Sequence, residues 1–458
     1  MAFEIQSLIA GKRVLILGFG KEGRSTYRLL RAWFPDMHMC IADRDEAVLA
    51  ASPELRSDRK LRLVGGNNYL EGCNDYDLVI KSPGLPYSEV IKKADAAKVT
   101  SQTDLFLRAF AGRVVGVTGT KGKSTVTSLI HHILSSAGRD AILAGNIGVP
   151  PLDIAGSIAG QAIVVFEMSS HQLEHISIAP HTAVILNIFP EHLDHYKDFT
   201  AYKMAKFNIG RSQPEGGGLV YNADDPIIAE LVAEQAAGKK LMSFSIDPEA
   251  GTDAIYDRGQ IVYRDHAGLT HHMDLADFDM PGNHNVMNMM AAVLVCMDRG
   301  LDAGQIMKGL SGYRRLPHRL ENAGTYRGIT FYDDSIATIP EASMAALKTL
   351  GHVDMLILGG YDRGLEYDSL CEWLCSNPVP VLAFMGDAGR RMSEEWKDKL
   401  PDTVTCTTVG SMQEAVELAA EMIRPGGVCL LSPAAASYGM FRNFEERGDV
   451  FKKLAAAL

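Results

Sequence analysis

Residues 116–125 read GVTGTKGKST and set a lysine and a hydroxyl directly after glycines, the combination that cradles phosphate. Glycines let successive backbone N–H groups turn toward one anion, and the N-terminus of a following helix adds its partial positive charge. The usual phosphate loop has four residues between its first glycine and the Gly-Lys-Ser. Here Gly119 and Gly122 are separated by two residues, and Gly116 lies one position too far back. The physics survives the shortening. Gly119, Thr120, Lys121 and Gly122 can form the cradle, Lys123 can reach terminal phosphates, and Ser124, followed by Thr125, can offer its hydroxyl to magnesium. A glycine turn with a merely solvated lysine is the plainer reading; the apolar strand before it and the helical stretch after it count against that.

Three other stretches carry chemistry. VVFEMSSHQLE places Glu167 at the end of an apolar run, where a carboxylate can bind magnesium beside a phosphate loop. NIFPEHLDHYKDFTAYKMAKFNI crowds Asn187, His192, Asp194, His195, Lys203 and Lys206 into one loop and the helix after it. A two-histidine zinc site is a weak reading there, because the spacing is short and no third ligand is obvious. Near the start, Gly18, Gly20 and Gly23 followed by Asp43 form the pattern of a dinucleotide-binding turn, a weak signal on its own.

The elements that must position these residues follow one habit. Aliphatic runs such as VLIL, VVGV, AIVVF and TAVIL each end in small or polar residues and are followed by helical stretches. Strands alternating with helices predict parallel sheets covered on both faces, with ligands at the carboxyl ends of the strands. The same habit returns in VDMLILGG, VPVLAFMG and GGVCLLSPAAAS. The expected fold is α/β, with three consecutive Rossmann-like domains over residues 1–110, 111–316 and 317–458, the central one built on a mostly parallel sheet of the phosphate-loop ATPase type. The 458 residues fit that count at ~150 per domain.

Composition narrows the function classes. Hydrophobic residues are 47% and charged residues 22%, an ordinary globular balance, and no apolar run approaches a membrane span. The N-terminal segment lacks the pattern of an export signal, so a cytoplasmic location is expected. Seven scattered cysteines then read as reduced thiols. A net charge of −11 argues against a nucleic-acid partner held by a general basic surface.

Taken in order, GTKGKST, FEMSSHQLE, NIFPEHLDHY with YKMAK, MPGNHNVMNMMAA, LPHRLE, YDDS and LSPAAASYGMFRNFEERG resemble the Mur ligases over nearly the whole chain. The shortened phosphate loop is normal in that family. The resemblance implies an ATP-dependent, cytoplasmic and monomeric amide-forming enzyme of cell-wall precursor synthesis, most like the members that add glutamate to UDP-N-acetylmuramoyl-L-alanine. It implies that Lys123 and Ser124 hold ATP phosphates and one magnesium ion. Glu167 would bind the same ion, His192 a second, and Lys206 would carry a carbamate derived from carbon dioxide. His284, Asn285 and Asn288 would lie near adenine and ribose, with Arg319 and Asp334 closing over ATP. The first glycine turn, Asp43, Arg44, Ser82, Gly84 and Asn146 would hold the UDP part of the substrate.

Thr338, Arg363, Ser437 and Phe444 are the implied glutamate contacts. The chain departs from the family there: Ile336 and Ile339 stand where a lysine and an asparagine are typical, and Arg363 where a lysine is usual. D-glutamate is the expected substrate and L-glutamate the alternative. A folylpolyglutamate synthase-type ligase would not need the first domain, a dehydrogenase would leave the second and third unexplained, and a nucleotide-sensing regulator would not need the C-terminal signature.

Overall fold

The computed structural model describes every residue except 1, 146, 148, 193–194, 237, 266, 276–277, 279–281, 314–316 and 363, and the side chains of Ala2 and Glu341. It divides into two compact units, Met1–Tyr313 and Arg314–Leu458. The first unit contains two sheets and the second contains one.

The first sheet comprises β1 (Val14–Leu17), β2 (Met39–Asp43), β3 (Leu61–Gly65), β4 (Leu78–Lys81) and β5 (Val99–Ser101), all parallel, in the order β3-β2-β1-β4-β5. The order reverses at β1, whose carboxyl end runs into Gly18 and the helix Lys21–Trp33. Such a switch point opens a crevice for a ligand. The helix Gln102–Phe110 follows β5 and leads almost directly into the second sheet.

That second sheet comprises β6 (Val114–Thr118), β7 (Ala141–Gly145), β8 (Ile163–Glu167), β9 (Thr182–Ile185), β10 (Gly218–Asn222), β11 (Lys240–Ser245), β12 (Ala254–Asp257), β13 (Gln260–Arg264) and β14 (Thr270–Asp274). Its order is β14-β13-β12-β11-β10-β9-β6-β8-β7, parallel from β7 to β12 and antiparallel through β13 and β14. Strand β6 is buried along its whole length, because alternate side chains go to opposite cores: Val114 to one, Val115 and Val117 to the other. Helices Lys123–Ser136 and Asn283–Asp298 pack on the second of those faces.

The C-terminal unit holds β15 (Glu321–Tyr326), β16 (Ile329–Asp333), β17 (Met355–Gly359), β18 (Val381–Met385), β19 (Thr405–Val409) and β20 (Val428–Leu431) in the order β15-β16-β20-β17-β18-β19. Only β15 runs antiparallel to its neighbour. Two antiparallel features thus go beyond the sequence expectation: the β12–β14 meander and the β15 edge.

Candidate functional site

The phosphate-loop candidate lies where the sequence predicts, between β6 and the helix Lys123–Ser136. Gly122 caps that helix with φ 86°, a left-handed conformation suited to glycine, and a Cβ there would come within 2.7 Å of Asn288 Oδ1. A second strand end braces the loop. Asn187, beyond β9, accepts from the Lys121 N–H at 2.8 Å, donates its Nδ2 to the Lys121 carbonyl at 3.1 Å, and receives the Thr120 N–H on its own carbonyl at 2.9 Å. The Thr120 hydroxyl lies 3.0 Å from Tyr202 Oη, and Lys121 pairs with Glu191 at 2.9 Å.

Two lysines converge on this loop. Lys123 Nζ donates to the carbonyls of Gly119 and Thr120, both at 2.9 Å. Lys206, on the helix Phe199–Arg211, donates to the same Gly119 carbonyl at 2.9 Å and is 1% exposed. Burial, reinforced by the charge of Lys123, holds the Lys206 pKa well below the ordinary lysine range. Glu167 ends β8 beside Val117 of β6 and is buried, and Ser124 is buried at the start of the loop's helix. His192 has φ 58° and a half-exposed ring, 3.7 Å from Glu191. Its ring centroid lies 4.8 Å from that of His171, and His171 is 4.1 Å from His195. Burial and these imidazole neighbours push the His171 pKa down to about 3. Of the expected nucleobase residues, Asn288 is buried against Gly122, Asn285 is half-buried and His284 is exposed.

A second cavity of about 410 Å³ opens at the switch point of the first sheet. Gly18, Gly20, Asp43, Ser82 and Gly84 line it; Gly23 and Arg44, expected at the same site, are not among the lining residues, and Arg44 is exposed. Asp43 spends its oxygens on the protein, accepting from the N–H groups of Phe19 at 2.6 Å and Asp45 at 2.8 Å, so it shapes the turn. Asn146 lies outside the described residues. Sequence reasoning missed Glu22 and Gln172 in this lining. Glu22 Oε1 accepts from Gln172 Nε2 at 2.7 Å, Oε2 is buried without a hydrogen-bond partner among the described residues, and burial raises the Glu22 pKa.

In the C-terminal unit, Thr338 follows β16 and Ser437 follows β20, two adjacent strands, and Phe444 opens the last helix, Phe444–Ala456. Arg363 lies outside the described residues. Arg447, singled out by the sequence only as part of LSPAAASYGMFRNFEERG, is fully buried. It donates to Ser335 Oγ at 3.0 Å, the Ser335 carbonyl at 2.8 Å and the Ala435 carbonyl at 3.0 Å, tying the ends of β16 and β20 together. Asp334 accepts from the Leu320 N–H at 3.1 Å and the Ser432 hydroxyl at 2.7 Å, and burial pushes its pKa up to about 7. It therefore pins the turn that bears Arg319. His318, Glu321 and Asp333 cluster closely enough to hold a cation, but Lys452 already lies 3.0 Å from Glu321, and His318 Nδ1 lies 2.7 Å from Asp333.

A braced phosphate loop at one strand end and a crevice at a sheet switch point in the same unit form a nucleotide-binding scaffold, and the chain belongs to the Mur ligase family, whose members are ATP-dependent ligases. Residues 117–296 match the Mur ligase middle domain and residues 318–435 the Mur ligase, glutamate ligase domain. The UDP-N-acetylmuramoylalanine–D-glutamate ligase of Symbiobacterium thermophilum is 35% identical over 452 residues, covering 98% of both chains. That of Shouchella clausii is 35% identical over 454 residues, covering 98% of this chain and 97% of its own. The fold is similar to that of MurF ligase from Thermotoga maritima, solved in complex with ADP, with a TM-score of 0.56 and 18% identity over 92% of this chain and 96% of that one. Among the described residues no helix is long and apolar enough to cross a membrane.

Proposed function

We propose that this chain joins D-glutamate to UDP-N-acetylmuramoyl-L-alanine at the expense of ATP, through an acyl phosphate, in peptidoglycan precursor synthesis. The observation that carries the reading is the braced phosphate loop on which Lys123 and buried Lys206 converge. It stands in a chain about one-third identical, end to end, to D-glutamate ligases.

In this reading residues 1–110 hold the UDP part, residues 111–316 ATP, and residues 317–458 glutamate. The protein works as a monomer in the cytoplasm. Lys123 offsets charge on the transferring phosphoryl group, and His284, Asn285 and Asn288 line the nucleoside side. Arg319, on the turn that Asp334 pins, and Asp334 itself are further residues assigned to ATP. Thr338, Arg363, Ser437 and Phe444 orient glutamate so that its amine attacks the acyl phosphate and phosphate departs. Most of this work is positioning and charge neutralisation.

The donor set fits magnesium on one condition. Ser124, Glu167 and His192 offer a hydroxyl, a carboxylate and an imidazole, but a lysine cation repels a hard divalent ion. A carbamate on Lys206 would be an anionic oxygen donor. The lowered Lys206 pKa favours the neutral amine, the form that adds to carbon dioxide. Two bound magnesium ions would supply further charge neutralisation along the phosphates.

The test is phosphate release with ATP and UDP-N-acetylmuramoyl-L-alanine, comparing D- and L-glutamate. Turnover with D-glutamate and none without the UDP-substrate is expected. Turnover with L-glutamate alone would overturn the handedness and assign the switch to the region of Ile336 and Ile339. No turnover with either would overturn the reading.

A further inference from the structure

The short helix Ser170–Leu173 joins two sites that the preceding sections treat separately. Its residue Gln172 reaches Glu22 in the first sheet's cavity. Two residues on, at the helix C-cap, Glu174 gathers three contacts on a single oxygen, Oε2. The Tyr87 N–H donates to it at 3.1 Å, Lys81 Nζ lies 3.5 Å away and His195 Nε2 lies 3.5 Å away. Each partner comes from a segment with its own task. Lys81 ends β4 and, almost fully buried, also donates to the Leu85 carbonyl at 2.8 Å, closing the turn whose residues Ser82 to Leu85 line the first sheet's cavity. His195 closes the turn that starts at His192, with its N–H on the His192 carbonyl at 3.0 Å. Tyr87 stacks on His175, 4.0 Å between ring centroids, beside the same junction.

We infer that Glu174 is a positioning residue, coupling the loop that lines the UDP-substrate cavity to the loop that carries His192. The inference deepens the function proposed above and rests on it for the identity of the two ligands. A surface carboxylate would exchange partners freely; this one is largely buried, with a buried cation and two further groups on one oxygen. Moving it shifts both loops at once.

The test uses the full chain. In E174Q, kcat is expected to fall and KM for UDP-N-acetylmuramoyl-L-alanine to rise, roughly 10- to 100-fold in kcat/KM, while KM for ATP moves less than about twofold. E174Q leaves Lys81 buried without its partner, so K81M/E174L is made alongside it, exchanging the pair for apolar groups. That double variant is expected to keep near-wild-type thermal stability and the same kinetic defect. Wild-type kinetics in folded K81M/E174L overturns the proposal, as does a loss of activity in both variants that merely tracks the folded fraction. Hydrogen exchange of the ligand-free protein gives a readout independent of substrate. Amides in 82–87 and around His192 should lose protection together in E174Q; loss in one segment without the other overturns the coupling. Inactivity of the wild-type chain would remove the functional reading and leave this exchange result to decide the coupling.

Discussion

Two strand–glycine–helix turns sit in the first unit, one after β1 and one after β6, and they differ in the charge gathered around them. Both use glycine where a side chain has no room. A Cβ on Gly23 would lie 2.1 Å from the Gly18 carbonyl oxygen, and one on Gly122 would meet Asn288. Around the first turn the titratable group nearest the glycines is a half-buried acid, Glu22, hydrogen-bonded to the amide of Gln172, and the buried Lys81 closes the neighbouring turn. Around the second, Lys123 and Lys206 donate to one carbonyl. Glycine spacing thus specifies the path of the backbone, and the side chains that other strand ends bring to it specify the ligand. This is why a glycine pattern alone left the first turn open between a dinucleotide and a UDP-substrate.

The largest effect expected from breaking that contrast is at Lys206. K206A should abolish turnover, a loss of about 10³-fold or more, comparable to deleting an electrostatic contact used in the transition state. A short-chain carboxylic acid should restore part of it, by supplying the oxygen donor that the proposed carbamate would provide. Phosphate-release assays with and without the acid read this directly. Full activity in K206A would remove the lysine pair from the chemistry and leave the second turn a structural one.

Next in size is a pair of glycine substitutions in the first turn. G23A places a methyl group against backbone and is expected to cost about 1–3 kcal/mol or more in unfolding free energy. Gly20 has φ −75° and open space around its missing Cβ, so G20A should fold normally and raise KM for the UDP-substrate only. Denaturant unfolding and steady-state kinetics separate the two. Equal destabilisation by both variants would mean that Gly20 and Gly23 both serve the fold and neither the ligand.

The contrast also shows what was legible in the sequence. Apolar runs ending in small or polar residues are local signals, so β1, β6, β8 and β17 and both turns were readable. The positions of Lys123 and Glu167 in the fold were readable too, since they lie just after or within such signals. The β12–β14 meander was not, since its strands are short and largely half-buried, with no continuous apolar run. Lys81, Gln172 and Glu174 escaped for another reason. Their partners lie far along the chain and meet only where the first two sheets of this unit pack together. Arg447 looks like any charged residue on an amphipathic helix, and nothing local marks it as the buried tie between two strand ends.

The smallest effects expected are in the pH dependence of stability. Burial raises the Glu22 carboxyl above its unfolded value, so the folded chain keeps a proton that the unfolded chain releases above roughly pH 4. Stability contributed by this group is therefore greatest at low pH and declines as pH rises toward the folded value. Asp334, pushed up to about 7, has the same sign in the C-terminal unit, with a decline between roughly pH 4 and that value. Thermal unfolding across this range should show E22Q and D334N gaining on the wild type as pH increases. E22Q carries the sharper consequence. A neutral acid beside the first turn can donate a hydrogen bond to a diphosphate oxygen, whereas an ionised one would repel it. If E22Q keeps the wild type's pH slope, Glu22 of the wild type carries its negative charge at that turn, and the phosphates of the proposed UDP-substrate would have to be held by Lys21 and the helix N-terminus against it.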